Sequence, residues 1–146
     1  MTVGLIANET GAQRLIGYTL DVGQPDKRAR CHLSLTDLHL NRHGVLHGGI
    51  ATAMLDNALG ASASLTVDPG GRAPFLTISL NTQFVAPAAE GAELTATGRV
   101  AGGGRALVFV EGELRDALGT LIATASGVFK RVPQDRLTPT KKKDDR

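Results

Sequence analysis

The 146-residue sequence predicts a single α+β domain in which an antiparallel sheet wraps around one long helix. The segment from Gly48 to about Leu65 has apolar residues on nearly all sides at helical spacing, which is typical of a buried helix. Several segments before and after it alternate apolar and polar residues, as half-buried strands do. The later segments are joined by short links, and only antiparallel neighbours can be joined so briefly.

Two strands and a loop are expected before the helix. Leu15–Asp21 can form a first strand, and Gln24-Pro25-Asp26 marks the turn after it. In Arg28–Leu35 every second residue is apolar, which predicts a strand with one buried face. Thr36–Leu46 shows no clear period, so we expect a loop there.

The helix is expected to start at Gly48 because good helix formers follow, without a proline. Asp68-Pro69-Gly70-Gly71 then breaks it. After this breaker we expect four strands, Phe75–Val85, Ala92–Val100, Ala106–Arg115 and Thr120–Arg131. Their short links predict an antiparallel meander.

Charge and composition narrow the class of function. The net charge is +2, but the last six residues hold four basic and two acidic groups, so residues 1–140 are neutral. This distribution argues against nucleic-acid binding, which needs a basic folded surface, and an aromatic content of 3% offers few stacking platforms. We expect residues 1–132 to form the domain and residues 133–146 to be a charged, flexible tail.

Other classes are disfavoured on similar grounds. No apolar run approaches the roughly 20 residues that span a bilayer, and the N-terminal residues lack the pattern of a signal peptide. We therefore expect a cytoplasmic protein without membrane contact. The single cysteine, Cys31, excludes an intrachain disulfide. No spacing of His, Asp and Glu suggests a metal site, and we expect neither a metal nor a cofactor.

The segment Asn41–Gly49, which reads NRHGVLHGG, carries the strongest indication of chemistry. Glycines at a helix start let a ligand approach the backbone closely, and the first helical amides lack internal partners. The Gly48 N–H can therefore donate to an oxyanion, with Gly49 beside the substrate and His47 as an orienting hydrogen-bonding group. The alternative is a tight turn into the helix without any chemistry.

Asp56 lies in the middle of this apolar helix. Beside an oxyanion hole, a carboxylate can act as nucleophile or general base in acyl transfer. Alternatively, Asp56 belongs to a solvated stripe with Thr52, Asn57 and Gly60. Gly48 and Asp56 are eight residues apart, or about 12 Å along a helix. One acyl carbon cannot lie within about 3 Å of both groups. If both act in one reaction, they come from two chains, and the active site lies at a dimer interface.

The pattern Asn-x-x-Gly-x-x-His-Gly-Gly, with Asp seven residues later, resembles the hotdog-fold acyl-CoA thioesterases. It is most similar to their PaaI-like branch, which is linked to phenylacetic acid degradation. The resemblance runs from about Leu15 to Phe129. Its further marks are Asn81–Ala88 with Gly91 after it, Gly103 with Arg105, and Gly119.

The resemblance implies a hotdog fold and a hydrolase that converts an acyl-CoA thioester to a free acid and CoA. It also implies homodimers with shared active sites, paired into a homotetramer. It maps the catalytic carboxylate onto Asp56 and the oxyanion-hole amide onto Gly48, with His47 beside it. Asn41 matches a polar residue near the thioester, and Thr77 matches a Ser or Thr that helps hold the water.

The sequence allows two other interpretations of the function. A hotdog protein that binds an acyl-CoA without hydrolysing it does not need a carboxylate at Asp56, so the intact set of site residues favours the enzyme. A hotdog dehydratase fits less well, because its His-plus-carboxylate pattern is missing. Basic side chains are candidates for contacts with the CoA phosphates; they are Arg105 and, more weakly, Arg72, Lys130 and Arg131.

Overall fold

The structure, a computed structural model, describes residues 3–133. These residues form β1 (Leu5–Ile6), α1 (Gly11–Ile16), β2 (Thr19–Asp21), β3 (Arg30–Ser34), α2 (Gly48–Ser64), β4 (Phe75–Phe84), β5 (Glu93–Gly103), β6 (Leu107–Asp116) and β7 (Leu121–Arg131). The strands make one antiparallel sheet in the order β1-β2-β3-β5-β6-β7-β4. The predicted α+β class is confirmed. Of the predicted tail, residues 134–146 lie outside the described residues.

The long helix α2 lies against the concave face of the sheet. It ends within one residue of the predicted position, and its sheet-facing side chains, such as Met54, Leu55 and Leu59, are fully buried. Glycine in β5 permits this close packing. A Cβ on Gly98 would collide with Ser62 Oγ and lie 2.6 Å from the backbone carbonyl oxygen of Ala58.

The first predicted strand, Leu15–Asp21, is wrong in its first half. Residues up to Ile16 belong to the short helix α1, and the strand begins only at Thr19. The Thr10 side chain accepts a hydrogen bond from the Gln13 N–H at 3.1 Å and caps the helix start. Gly17 ends the helix at a φ of 92°, a conformation that glycine adopts readily.

The predicted four-strand meander is also only partly correct. Strands β5, β6 and β7 follow one another as expected, but β4 pairs with β7 at the far edge of the sheet. The chain then returns along residues 85–92 to place β5 beside β3. This return is fixed by the loop before α2, because the Leu46 N–H donates to the Ala88 carbonyl at 2.8 Å. The predicted loop Thr36–Leu46 also contains a 3-10 turn, Asp37–His39.

Strand β4 forms one edge of the described sheet and is paired only through β7 among residues 3–133. Its exposed side chains include apolar ones, notably Leu76, Ile78 and Phe84. A long edge strand with exposed apolar side chains is a template for pairing with another chain. None of the helices within the described range is long and apolar enough to cross a bilayer.

Candidate active site

Asp56 lies on the flank of α2 that faces β4. Its Oδ1 accepts a hydrogen bond from the Thr77 hydroxyl at 2.6 Å. The carboxylate is half-buried and Thr77 is exposed, so both groups can be reached from solvent. The structure therefore brings these two predicted residues into direct contact and gives the carboxylate a fixed orientation.

A β-bulge in β4 determines which side chains face the helix. Thr77 pairs with Phe129 and Ser79 with Val128, so Ile78 is an extra residue in the strand. In a regular strand, residues an odd number apart face opposite sides. The bulge reverses this alternation, so that Thr77 and Phe84 both face α2.

The start of α2 is organised by its capping residue. The Gly49 N–H donates to His47 Nδ1 at 2.8 Å, so His47 is the N-cap and carries its ring proton on Nε2 when neutral. As the first helical residue, Gly48 has no intrahelical acceptor for its N–H, and no other acceptor within residues 3–133 is bonded to it. The predicted oxyanion donor is therefore available.

A cavity of about 400 Å³ opens beside this N–H. Phe84 forms one wall, and its ring lies 3.2 Å from the position that a Cβ on Gly48 would take. Asn41 lies at the rim, where its Oδ1 accepts hydrogen bonds from the N–H groups of His43 at 2.9 Å and Val45 at 3.3 Å. The Asn41 side chain thus shapes the turn and leaves its NH₂ group for other contacts. The remaining lining is mostly apolar.

Within one chain the two halves of the predicted site stay apart. Asp56 of α2 and Thr77 of β4 form one half, while Gly48 lies about 12 Å away along the helix axis and lines a cavity that Asp56 does not reach. Arg105 lies in the β5–β6 turn, at the end of the sheet where β4 begins, whereas the Gly48 cavity lies where β4 ends. The structure does not join Arg105 to either half.

Two supporting residues were not found from the sequence. Phe84 was assigned to a strand but not to the site, since its contact with Gly48 joins two segments that are distant in the sequence. His39 is buried, and its two ring nitrogens lie 2.7 Å from the Ile16 carbonyl and 3.0 Å from the Thr36 N–H. Its backbone carbonyl accepts the His47 N–H at 2.9 Å. A histidine within an otherwise aperiodic loop was the available signal.

Two features together define the class of protein. The fold is a sheet wrapped around a buried helix, and this helix carries a free amide at its N-terminus and a carboxylate in its middle. The family model described as the thioesterase superfamily matches residues 43–123, which include Gly48, Asp56 and Thr77. Human acyl-coenzyme A thioesterase 13 is 30% identical over 112 residues, which cover 76% of this chain and 78% of that protein. The chain therefore belongs to the thioesterase superfamily, and it is a thioester hydrolase.

Solved structures share the same architecture. The PaaI protein from the phenylacetic acid degradation operon of Escherichia coli has a TM-score of 0.74 over 86% of both chains, at 20% identity. Zebrafish thioesterase superfamily member 2 has a TM-score of 0.71 over 86% of this chain and 89% of its own, at 25% identity. The hotdog fold and the PaaI-like resemblance expected from the sequence are confirmed.

Proposed function

We propose that the protein hydrolyses an acyl-CoA thioester to a free acid and CoA, in a homodimer whose active sites are shared between chains. Each site combines Gly48 of one chain with Asp56 of the other. The name of the human relative, acyl-coenzyme A thioesterase 13, supports the coenzyme A part of this proposal. The observation that carries it is the placement of the two half-sites along the exposed edge strand β4.

The two half-sites lie beside the two ends of this strand. Thr77 near one end contacts Asp56, and Phe84 at the other end contacts the Gly48 position. A two-fold axis that pairs β4 with a second copy, midway between these residues, places Thr77 beside the partner's Phe84. Such an isologous interface makes two identical sites. It also covers the exposed Leu76 and Ile78.

In this arrangement the chemistry follows from the hydrogen bonds. The Thr77 hydroxyl donates a hydrogen bond to Asp56, which leaves the lone pairs of its oxygen to accept from a water molecule beside the carboxylate. Asp56 takes a proton from this water, whose oxygen attacks the acyl carbon. The Gly48 N–H stabilises the resulting oxyanion. The C–S bond then breaks, and the CoA sulfur leaves with the proton.

The outer parts of the substrate require further contacts. Arg105 and Arg131 lie at one corner of the sheet, since the Arg131 N–H donates to the Ala106 carbonyl at 2.9 Å. We assign this corner, with Lys130 beside it, to the CoA phosphates. Arg72 is less suitable, because Glu9 already neutralises it at 2.7 Å. Tetramer formation, a cytoplasmic location and a role in phenylacetic acid degradation stay predictions.

Subunit reassortment between two inactive variants tests the shared site. Asp56→Ala removes the base, and Gly48→Pro removes the N–H at the first helical position, where proline is well tolerated. Each homodimer should be inactive. In an equal mixture half of the dimers are mixed and each has one intact site, so about a quarter of the wild-type CoA release should return.

The matched control mixes Asp56→Ala with Asp56→Asn, which leaves a lesion in every site and should restore nothing. Mass spectrometry of differently tagged chains confirms that subunits have exchanged. Thermal unfolding of each homodimer shows that both variants fold. If Gly48→Pro is folded and exchange is confirmed, absence of recovery from this mixture contradicts the shared site. Full activity of a folded Asp56→Asn variant contradicts the catalytic role itself.

A further inference from the structure

A second cavity, of about 430 Å³, lies on the other flank of α2, between this helix and the N-terminal segment. The proposed thioester hydrolysis does not use this cavity. Its lining combines apolar and polar side chains, among them Ile6, Thr10, Tyr18, Leu20, Asn57 and Arg72. A preformed cavity with a few convergent polar groups is typical of a small-molecule site.

The cavity is close to the catalytic carboxylate. Asp56 and Asn57 are consecutive, but Asp56 faces β4 whereas Asn57 Oδ1 accepts a hydrogen bond from the Tyr18 hydroxyl at 3.0 Å. Consecutive helical residues are about 100° apart on a cylinder of about 5–6 Å radius, so the path around the helix surface from one flank to the other is about 10 Å. The helix surface between them carries the small residues Ala53 and Gly60. An acyl group can therefore pass from the thioester over the helix into the cavity.

The polar groups in the cavity have unused hydrogen-bonding capacity. Asn57 Nδ2 donates one hydrogen to the Ala53 carbonyl at 2.7 Å and has a second one. The Tyr18 hydroxyl donates its hydrogen to Asn57, and the lone pairs of its oxygen can accept a hydrogen bond. Arg72 closes the cavity through its ion pair with Glu9 and has further N–H groups. Because this pair leaves no net charge, a neutral oxygen suits the cavity better than a carboxylate.

We propose that this cavity binds the far end of the acyl group, and that the preferred substrate carries an acyl chain of about 10 Å that ends in a hydroxyl group. This inference rests on the proposed function, because it assumes that the thioester lies beside Asp56. Ile6 and Leu20 provide apolar contact for the methylene groups. The terminal hydroxyl exchanges hydrogen bonds with Tyr18, Asn57 and Arg72. A plain alkyl end would remove water from these polar groups without replacing its hydrogen bonds.

Kinetics with acetyl-CoA, octanoyl-CoA and 8-hydroxyoctanoyl-CoA test the proposal. We expect wild type to prefer the hydroxylated substrate over octanoyl-CoA by about tenfold in kcat/KM. Tyr18→Phe and Arg72→Met should each reduce this preference. Arg14→Met, which removes a similar charge from α1 outside the cavity, should leave it unchanged. Two variants are used because Tyr18→Phe also removes a buried hydrogen bond and reduces stability.

Filling the cavity tests the acyl length separately. Ile6→Trp should lower kcat/KM for both eight-carbon substrates by tenfold or more and leave acetyl-CoA unchanged, whereas Val3→Trp in the same segment should change nothing. Equal loss for all three substrates, or an unchanged hydroxyl preference in both polar variants, overturns the proposal. If wild type hydrolyses none of the thioesters, the proposed function fails instead. Calorimetry with 8-hydroxyoctanoate then tests the cavity alone, and binding that Ile6→Trp does not weaken refutes it.

Discussion

The hydrogen bond between Thr77 and Asp56 offers a direct test of how the carboxylate is positioned. Thr77→Val removes the hydroxyl while it keeps the shape of the side chain. The Oγ1–Oδ1 distance of 2.6 Å is typical of a hydrogen bond to a charged acceptor. Without its donor, the carboxylate can rotate, and in the proposed mechanism the attacking water loses one of its two contacts.

The size of the effect can be worked out from this contact. A hydrogen bond to a charged group contributes about 1.5–3 kcal/mol. Thr77 is exposed in the chain, so solvent compensates part of the loss and the lower end applies, about 1.5 kcal/mol. Since about 1.4 kcal/mol corresponds to a factor of ten in rate, we expect kcat to fall about tenfold. KM should change little, because the bond orients Asp56, the proposed base, and does not contact the substrate.

The assay is CoA release at saturating substrate, with thermal unfolding of each variant measured in parallel. Thr77→Ser keeps the hydroxyl and should retain most of the activity. Thr124→Val removes a hydroxyl that bonds to Gln83 on the face of the sheet opposite to α2, and serves as the matched control. Wild-type kcat in a folded Thr77→Val variant would refute the positioning role. An equal loss in Thr77→Ser would show that the methyl packing matters and not the hydroxyl.

Two further predictions concern the body of the fold. Gly98→Ala should lower the melting temperature by several degrees, because the added Cβ meets Ser62 and Ala58 and such overpacking costs about 1–3 kcal/mol. The control in thermal unfolding is Gly102→Ala, since a Cβ at that position has no atom within 4 Å. Burial raises the pKa of the Cys31 thiol from 9.0 to about 12, so a thiol reagent should label it only after unfolding. Because the unfolded thiol ionises first, this group should lower the free energy of unfolding by about 1.4 kcal/mol per pH unit between about 9 and 12. Urea titrations across this range, with Cys31→Ala for comparison, measure that slope.

The parts of the fold that follow from local pattern were predictable. Helix α2 is apolar on nearly every side over 17 residues, and no strand pattern competes with it. The alternation in β5, β6 and β7 is regular, and their connections are short, so both their existence and their order follow. Cys31 and Leu33 are buried as the alternation in β3 requires.

The predictions that were wrong concern features that depend on contacts between distant segments. The period of Leu15–Asp21 does not distinguish a strand from a short capped helix, and the cap at Thr10 lies before the apolar run. The position of β4 next to β7 depends on a return of the chain along residues 85–92, which the Leu46–Ala88 hydrogen bond fixes. The local sequence of β4 does not indicate which strand it pairs with.

The site residues also fall into those that local sequence predicts and those that depend on distant contacts. Gly48 and Asp56 were found from their residue types on one helix, and their separation led to the prediction that a reaction using both groups needs two chains. Their companions Thr77 and Phe84 lie seven residues apart on β4, a spacing that regular alternation would place on opposite faces. The bulge at Ile78 is what turns both toward α2. One extra residue in an edge strand thus aligns two half-sites with the edge that a second copy can pair with. Deletion of Ile78 would leave Thr77 and Phe84 six residues apart, a spacing that regular alternation keeps on one face. The contact of Thr77 with Asp56 should therefore survive this deletion, whereas insertion of a second residue at the bulge should turn Thr77 away from Asp56.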